Sequence, residues 1–188
     1  MQFERLEIPD VVLMTPKVFG DERGFFMETF RQSEFEHHCG TYSFVQDNHS
    51  KSRRGILRGL HYQFEKPQGK LVRVTQGEVY DVAVDLRQES STFGQWVGVH
   101  LSADNKKLLW IPPGFAHGFY VISESAEFQY KCSDYYNPGD EYSLQWNDPG
   151  LKIDWPLVNG QPPQLSTKDE QGQALGWEQA PKFDARKV

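Results

Sequence analysis

Short runs of alternating apolar and polar residues predict that much of this chain is β-strand. The alternation is strict over residues 79–86, where Val82 and Val84 fall on one face and Asp81 and Asp85 on the other. Similar runs cover residues 71–75, 96–101, 107–111, 118–122, 127–132 and 142–146. Turn residues separate them, and strands that recur about every 8–12 residues indicate an antiparallel sandwich or barrel.

Helices are expected to be few and short. Residues 33–38 predict one helical turn, with Ser33 as the N-cap and Glu34 and Glu36 in the first turn. A second short helix is expected near the C-terminus. From about residue 171 the chain is polar, and we expect this tail to be loosely ordered. Residues 1–188 are therefore predicted to form a single all-β domain.

Length and composition exclude several classes of protein. A chain of 188 residues is long enough for one domain with a sizeable core. No apolar run approaches the roughly 20 residues of a membrane helix, and the charged first ten residues are unlike a signal peptide. Two cysteines indicate a reduced, cytoplasmic setting. A net charge of −6 argues against a general nucleic-acid binder.

Positive charge is concentrated in one segment. Between Lys51 and Arg73 there are seven basic residues and one acidic residue, Glu65. This basic island suits a small anionic ligand such as a phosphate ester. A solvated basic face explains it equally well before any motif is considered.

Residues 110–117, WIPPGFAH, resemble the second sequence signature of the cupins, jelly-roll barrels in which this histidine usually binds a metal. Simple packing of His117 beside Phe119 is the alternative. A cupin metal site also needs two histidines two residues apart, but Gln63 stands two residues after His61. Lys70 stands where a carboxylate would help, and a cation there repels a metal ion. We therefore expect a cupin-type jelly-roll β-barrel with a few short helices and no metal.

A barrel pocket without a metal ion or cofactor can still carry out acid–base chemistry. The sequence has no dinucleotide-binding glycine motif, P-loop or nucleophile elbow. His61 is a candidate base because histidine moves protons near neutral pH. Tyr130 shares a strand face with Phe128 and Cys132, so it points inward if that face is the core. Taken alone, a single inward Tyr or His is more often structural.

Nine segments, in order from about Ile8 to Asp169, resemble the dTDP-4-dehydrorhamnose 3,5-epimerases. They are FGDERGFFME (19–28), FVQDNHS (44–50), LRGLHYQ (57–63), QGKLVR (68–73), GEVYDVAVDLR (77–87), TFG (92–94), PPGFAH (112–117), YK (130–131) and LSTKD (165–169). The resemblance implies a cofactor-free cupin, typically a homodimer, that acts on a dTDP-linked 4-keto-6-deoxy sugar. The implied reaction converts dTDP-4-dehydro-6-deoxy-D-glucose to dTDP-4-dehydro-L-rhamnose, for dTDP-rhamnose and products such as lipopolysaccharide.

The same resemblance implies roles for individual residues. His61 is the base and Asp169 its partner, Tyr130 is the acid on the opposite face, and Lys70 stabilises the enolate oxygen. The other positions that match ligand contacts are Arg23, Glu28, Gln46, Asp47, Asn48, Arg58, His117, Glu141 and Lys168. Arg23 and Arg58 suit the diphosphate.

Two points of geometry stay open at this level. Alternation places Arg58 and His61 on opposite strand faces, so either a bulge near Gly59 redirects one of them or they face different sites, across a dimer for example. Asp81 and Asp85 either support His117 or His61 from inside the barrel or face solvent.

Three functions from different classes compete. The epimerase is favoured by the ordered motifs and the basic island. A non-catalytic cupin would bind a nucleotide sugar without turnover and would tolerate the loss of His61. A metal-dependent cupin oxygenase or isomerase would carry iron or manganese in the barrel. No nucleic-acid or membrane partner is expected.

Overall fold

The computed structural model describes residues 1–176 and Phe183. Within these residues there are thirteen strands and two α-helices, α1 (Gln32–Cys39) and α2 (Thr167–Glu170), with 3₁₀ turns at Pro138–Asp140 and Val158–Gly160. The strands are β1 (Gln2–Arg5), β2 (Val12–Thr15), β3 (Val18–Asp21), β4 (Gly24–Met27), β5 (Gln46–Arg53), β6 (Leu57–Gln63), β7 (Lys70–Gln76), β8 (Glu78–Asp85), β9 (Trp96–Ser102), β10 (Leu108–Ile111), β11 (Phe115–Val121), β12 (Ser125–Cys132) and β13 (Glu141–Ser143).

Two antiparallel sheets pack face to face around one core. In the described part of the chain, a six-stranded sheet has the order β1-β2-β10-β7-β12-β5 and a five-stranded sheet the order β13-β6-β11-β8-β9. Val72 and Phe128 of the first sheet meet Ala83 and Phe119 of the second. Successive strands change sheets, as β7 and β8 do, which is typical of a jelly roll. The predicted cupin-type jelly-roll barrel is confirmed.

Both sheets are also covered on the outside. Phe35 of α1 packs against Trp110 on the outer face of the six-stranded sheet, with the ring centroids 4.9 Å apart. Leu151 and Trp155, which follow β13, cover the outer face of the five-stranded sheet. The strand predicted over residues 79–86 is β8, and it is buried on both faces because of this cover.

Every strand that alternation predicts is present, although the last, β13, is shorter than residues 142–146. Strands β1 to β6 lie outside the predicted runs. β5 has the sequence QDNHSKSR, which is polar on both faces, so it gives no hydrophobic signal.

The helix predictions are correct in place and wrong in one detail. α1 begins at Gln32, so Arg31 is the N-cap, and Ser33 lies inside the first turn instead of capping it. α2 is the predicted second helix, capped by the Ser166 hydroxyl, which accepts the backbone N–H of Asp169. No helix in residues 1–176 has the length and apolar character needed to cross a membrane.

The first part of the polar tail is tied to the barrel, contrary to the expectation of loose order. The Gln173 N–H donates to the Ser143 carbonyl at 2.8 Å, and the Leu175 N–H donates to Asp148 at 2.7 Å. The Phe183 side chain is buried. Residues 177–182 and 184–188, where the same expectation applies, lie outside the described residues.

Candidate active site

Most of the side chains singled out by the sequence line one cavity of about 330 Å³ between the two sheets. Strands β5, β7 and β12 contribute from the six-stranded sheet, and β6, β11 and β13 contribute from the five-stranded sheet. The lining residues are Gln46, Asn48, Ser50, Arg58, His61, Lys70, His117, Phe119, Phe128, Tyr130, Tyr136 and Glu141.

A bulge in β6 brings Arg58 and His61 into this cavity together. The pairing of β6 with β11 shifts by one residue between these two positions. Gly59 and Leu60 stand opposite the single residue Gly118. Gly59 has φ at +127°, and a Cβ there would lie 2.5 Å from the Gly118 Cα. A glycine is required for this approach of the two backbones. Of the two alternatives that the sequence left open, the bulge is correct.

His61 and the buried Asp169 form a hydrogen-bonded pair, with 2.5 Å between Nε2 and Oδ1. Asp169 is oriented by its position in α2 and by the Ser166 hydroxyl, which donates to Oδ2 at 2.8 Å. Burial acts to raise the pKa of Asp169, but the hydrogen bonds and charge of His61 and the bond from Ser166 hold it below its ordinary value. The ionised carboxylate therefore accepts the Nε2 proton, and the lone pair of His61 lies on Nδ1.

A second carboxylate, Glu141, lies on the other side of the His61 ring. Its Oε1 is 3.8 Å from His61 Nδ1. Its Oε2 accepts hydrogen bonds from the Tyr136 hydroxyl at 2.8 Å and from Lys168 Nζ at 2.5 Å. Burial acts to raise the pKa of Glu141, and the two hydrogen bonds together with His61 hold it below the ordinary value.

Lys70 supplies a cation without a fixed partner. It lies at the start of β7, opposite Cys132 of β12. Within residues 1–176 its Nζ makes no hydrogen bond or ion pair, and it is close enough to Glu141 and Asp81 to feel their charge. Burial lowers the pKa of Lys70, and those carboxylates oppose the shift. Such an ammonium is free to bind a negatively charged oxygen in the cavity.

Tyr130 faces the cavity from β12, in the sheet opposite His61. It packs against the core beside Phe128, with the ring centroids 5.9 Å apart, so the predicted inward orientation is confirmed. Burial raises the pKa of Tyr130 to about 12. Its hydroxyl therefore keeps its proton at neutral pH and can act as an acid.

His117 is hydrogen-bonded to the fully buried Asp81, with 2.9 Å between Nε2 and Oδ2. Burial lowers the pKa of His117 although Asp81 opposes the shift, so the ring is neutral and donates from Nε2. Asp81 therefore supports His117 from inside the barrel, which is one of the alternatives left open by the sequence.

Asp85 fits neither alternative, because it is buried and supports no histidine. It accepts two side-chain hydrogen bonds from Arg87, at 2.9 and 2.8 Å, and one each from the hydroxyls of Ser90 and Thr92, both at 2.6 Å. The expectation for Asp85 was wrong because the turn after β8 brings three donors back onto this carboxylate.

The alternation of β5 decides which residues of its motif reach the cavity. Gln46 and Asn48 point inward, and Gln46 Nε2 donates to Asn48 Oδ1 at 3.1 Å. Asp47 points outward, where it pairs with Lys131 at 3.0 Å and lines a neighbouring groove. The Asp47 side chain therefore does not line the cavity of its own chain, and its role at the site stays a prediction.

Arg23 and Glu28 are also absent from the lining of the cavity of their own chain. They belong to the segment that includes the β3–β4 hairpin, which pairs with neither large sheet among the described residues. Arg23 pairs with Asp21, and Glu28 pairs with Arg31. Neither lines the cavity, so their roles at the site stay predictions.

The basic island divides between the faces of its strands. Arg58 and Lys70 line the cavity, and Arg58 Nε donates to the Ser52 hydroxyl at 2.9 Å. Lys51 and Arg53 lie in the outward positions of β5. The island therefore has a part that faces the cavity, where binding of an anionic ligand stays a prediction, and a part that faces solvent.

Sequence reasoning missed Tyr136, which lines the cavity and binds Glu141. It lies in a turn after β12, where no periodicity places a side chain. Gln63 holds this turn: its Nε2 donates to the Tyr135 carbonyl at 3.2 Å and its Oε1 accepts the Asn137 N–H at 2.8 Å. In the described part of the chain, no group of three His, Cys, Asp or Glu side chains is placed to hold a metal ion.

Comparison with known proteins gives consistent matches. The family model described as dTDP-4-dehydrorhamnose 3,5-epimerase matches residues 5–176. The dTDP-4-dehydrorhamnose 3,5-epimerase of Pseudomonas aeruginosa is 63% identical, over 93% of this chain and 96% of that protein. That of Salmonella typhimurium is 61% identical, over 86% and 88%. A crystal structure of dTDP-6-deoxy-D-glucose-3,5-epimerase RmlC from Legionella pneumophila, in complex with dTDP-4-keto-L-rhamnose, has a TM-score of 0.92 and 53% identity, and covers 98% of this chain and 99% of that chain.

Proposed function

The chain belongs to the dTDP-4-dehydrorhamnose 3,5-epimerase family, isomerases of dTDP-rhamnose biosynthesis, and from this premise we propose how its cavity carries the reaction. The substrate is dTDP-4-dehydro-6-deoxy-D-glucose, whose C3 and C5 both lie beside the C4 ketone. The cavity inverts both carbons by removing a proton from one face and returning one to the other. The Legionella relative, bound to a dTDP-linked 4-keto sugar, supports this substrate class.

The observation that carries the proposal is the placement of His61 and Tyr130 on opposing sheets around one cavity. His61 Nδ1 takes the proton, because Nε2 is occupied by Asp169. The electron pair of the broken C–H bond moves into the enolate, and negative charge develops on the C4 oxygen. Tyr130 then donates its hydroxyl proton to the opposite face of the same carbon.

Lys70 stabilises the enolate in this scheme. A positive charge that already faces the cavity does not have to reorganise as the oxygen becomes negative. The neutral His117, held by Asp81, lines the same cavity and is a second polar contact for the sugar. Arg58 contacts the diphosphate, since its guanidinium matches phosphate oxygens in geometry and charge.

A second copy of the chain completes the site. The β3–β4 hairpin exposes Phe19, Phe25 and Phe26 by 53%, 61% and 71%. Aromatic side chains exposed together are typical of an interaction surface. A homodimer in which this hairpin lies over the partner's cavity would cover these rings and bring Arg23 and Glu28 to the nucleotide. This arrangement accounts for two family positions that lie outside the cavity of their own chain.

The scheme uses no metal or cofactor. Lys70 faces the cavity, and Gln63 is turned away from it to hold the Tyr136 turn, so the donor set suits an anion better than a cation. The free cysteines Cys39 and Cys132 support the cytoplasm as the compartment.

The test is proton exchange followed by NMR. The protein is mixed with dTDP-4-dehydro-6-deoxy-D-glucose in D₂O, and deuterium is followed at C3 and C5. Label at both carbons, with inversion at both, is expected. Label at C3 alone would instead make the protein a single epimerase.

A variant at His61 distinguishes catalysis from binding alone. The His61→Asn variant should bind the nucleotide sugar by calorimetry and incorporate no deuterium. Binding by the wild-type protein without any exchange would replace the enzyme with a binding module.

A further inference from the structure

Double inversion raises a problem of proton supply that rests on the proposed function. In the first inversion a C–H bond breaks and its proton forms an N–H bond on His61 Nδ1. The Tyr130 O–H bond breaks, its proton forms the new C–H bond, and its electron pair stays on the phenolate oxygen. His61 is now an imidazolium and Tyr130 a phenolate. Neither can act on the second carbon until one proton leaves and another arrives.

The surroundings of His61 restrict where its extra proton can go. Nε2 already makes a hydrogen bond to Asp169, which is 3% exposed and accepts a hydrogen bond from Ser166. On the other side of the ring, Glu141 Oε1 lies 3.8 Å from Nδ1. That oxygen accepts no hydrogen bond within residues 1–176. Such contacts are often long in ligand-free sites and tighten when the substrate binds.

Glu141 connects the ring to the rim of the cavity. Its own side chain is 11% exposed, but Tyr136 and Lys168, which both bond to its Oε2, are each about half exposed to solvent. A proton that reaches Glu141 is therefore one side chain from water. The described residues provide no comparable carboxylate on the Tyr130 side of the cavity.

We propose that Glu141 is the proton exit of His61, which resets the base between the two inversions. The Nδ1–H bond breaks, its electron pair returns to Nδ1 as the lone pair, and an O–H bond forms on Glu141 Oε1. The carboxyl proton then passes to water at the rim beside Tyr136 and Lys168. Tyr130 takes one proton back from water, so that the enzyme returns to its starting state and water is the only other participant.

The charge environment of Glu141 fits a group that passes a proton on. The hydrogen bonds from Lys168 and Tyr136 outweigh burial and keep the pKa of Glu141 below its ordinary value. A carboxylate in this environment holds a proton only briefly, so it does not compete with His61 for the substrate proton.

The test separates the two inversions in time. Wild-type protein and the Glu141→Gln variant are run under single-turnover conditions with the dTDP-linked 4-keto sugar, and the singly inverted species is quantified. We expect the first inversion within about threefold of wild type and the second slowed by at least roughly tenfold, with release of singly inverted sugar. In D₂O, unreacted substrate recovered from the variant should contain less deuterium per turnover, because the trapped proton returns to its own carbon.

Two further variants keep the test decisive. Glu78→Gln removes a different glutamate beside a histidine, His100, at 2.7 Å on the exposed face of β8, and should match wild type. Glu141→Ala removes the carboxylate and leaves space, and added formate should accelerate its second inversion selectively. Rescue of Glu141→Ala by formate also tests the proposal if the Glu141→Gln variant does not fold.

Three results would overturn the proton exit. The first is equal slowing of both inversions in Glu141→Gln, which a structural or binding role would cause. The second is no slowing of either inversion in that variant. The third is no response of Glu141→Ala to formate. If the wild-type protein itself inverts only one carbon, the proposed function fails and the exit fails with it. Wild-type inversion of both carbons leaves the proposed function standing whatever the variants do.

Discussion

Arg58 and His61 are three residues apart on β6, and both side chains line the same cavity. Between them, Gly59 and Leu60 stand opposite the single residue Gly118, which adds one position to β6, and Gly59 lies against the Gly118 backbone. The proposed diphosphate contact and the proposed base are thus coupled through one backbone irregularity.

Replacement of Gly59 by alanine should therefore damage stability and activity together. The new Cβ would lie 2.5 Å from Gly118 Cα and 2.7 Å from the His117 carbonyl oxygen, at a φ that disfavours alanine. We expect a loss of about 1–3 kcal/mol in the free energy of unfolding, measured by denaturant titration, and a large loss of kcat/KM.

Gly160→Ala is the matched control for this prediction. Gly160 also has a positive φ, +65°, but nothing lies within 4 Å of its Cβ position. It should lose stability and keep wild-type kcat/KM. Wild-type activity in Gly59→Ala would contradict the claim that the bulge places His61 and Arg58.

Asp169→Asn should lower kcat and leave KM nearly unchanged. The amide can still accept the Nε2 proton of His61, but it no longer balances the imidazolium charge. A loss of roughly 10²–10⁴ in kcat is expected for an impaired acid–base group. Steady-state kinetics with the dTDP-linked substrate would measure it, and a rise in KM at constant kcat would assign Asp169 to binding instead.

Lys70→Met should be less active and more stable than wild type. The ammonium is enclosed by the cavity without a partner within residues 1–176, so replacement by an apolar chain of similar length removes a desolvation cost. We expect kcat to fall by roughly 10²–10³, and the free energy of unfolding to rise by about 1 kcal/mol. A variant that is both inactive and less stable would contradict this assignment.

The gain in stability should depend on pH. Burial lowers the folded-state pKa of Lys70, so in the window between that value and the ordinary lysine pKa the unfolded chain binds more protons. The wild-type protein therefore recovers stability through this window as the pH rises. The difference in Tm between Lys70→Met and wild type should be largest at neutral pH and shrink toward pH 10. A difference that grows with pH would contradict the direction of the shift.

Two inactive variants should complement each other if the β3–β4 hairpin completes the partner's site. Arg23→Ala removes the contact that the hairpin is proposed to make with the partner's nucleotide, and Lys70→Ala removes the cation of the cavity in its own chain. Co-expression gives mixed dimers in which one of the two sites is intact, so about a quarter of wild-type activity is expected. Sedimentation would give the oligomeric state, and the absence of complementation in a confirmed dimer would place Arg23 outside the site.

The hydrophobic pattern was sufficient to predict the barrel, for a reason visible in β8 and β12, whereas the cavity residues followed from the resemblance to the epimerases. These strands carry apolar residues toward the core, so their periodicity is strong. β5 was missed because it borders a polar cavity inside and solvent outside. Its inward Gln46 and Asn48 and its outward Asp47 have the same chemical character, and only the fold distinguishes them.

The contacts that couple distant segments were beyond prediction. Tyr136 and Glu141 meet because a turn held by Gln63 folds back over the cavity, and no local pattern encodes that return. Asp81 and Asp85 occupy the same face of β8 in the sequence pattern. One supports His117, and the other is bound by the turn that follows, at Arg87.

The central claim is that His61 removes a proton from one face and Tyr130 returns one to the other, and Tyr130→Phe in D₂O tests it most directly. The account predicts that recovered substrate becomes deuterated without inversion, because His61 still exchanges a proton on its own face while the opposite face has no donor. Inversion at the wild-type rate would contradict the claim. A complete loss of exchange in a variant that still binds the nucleotide sugar would contradict it as well.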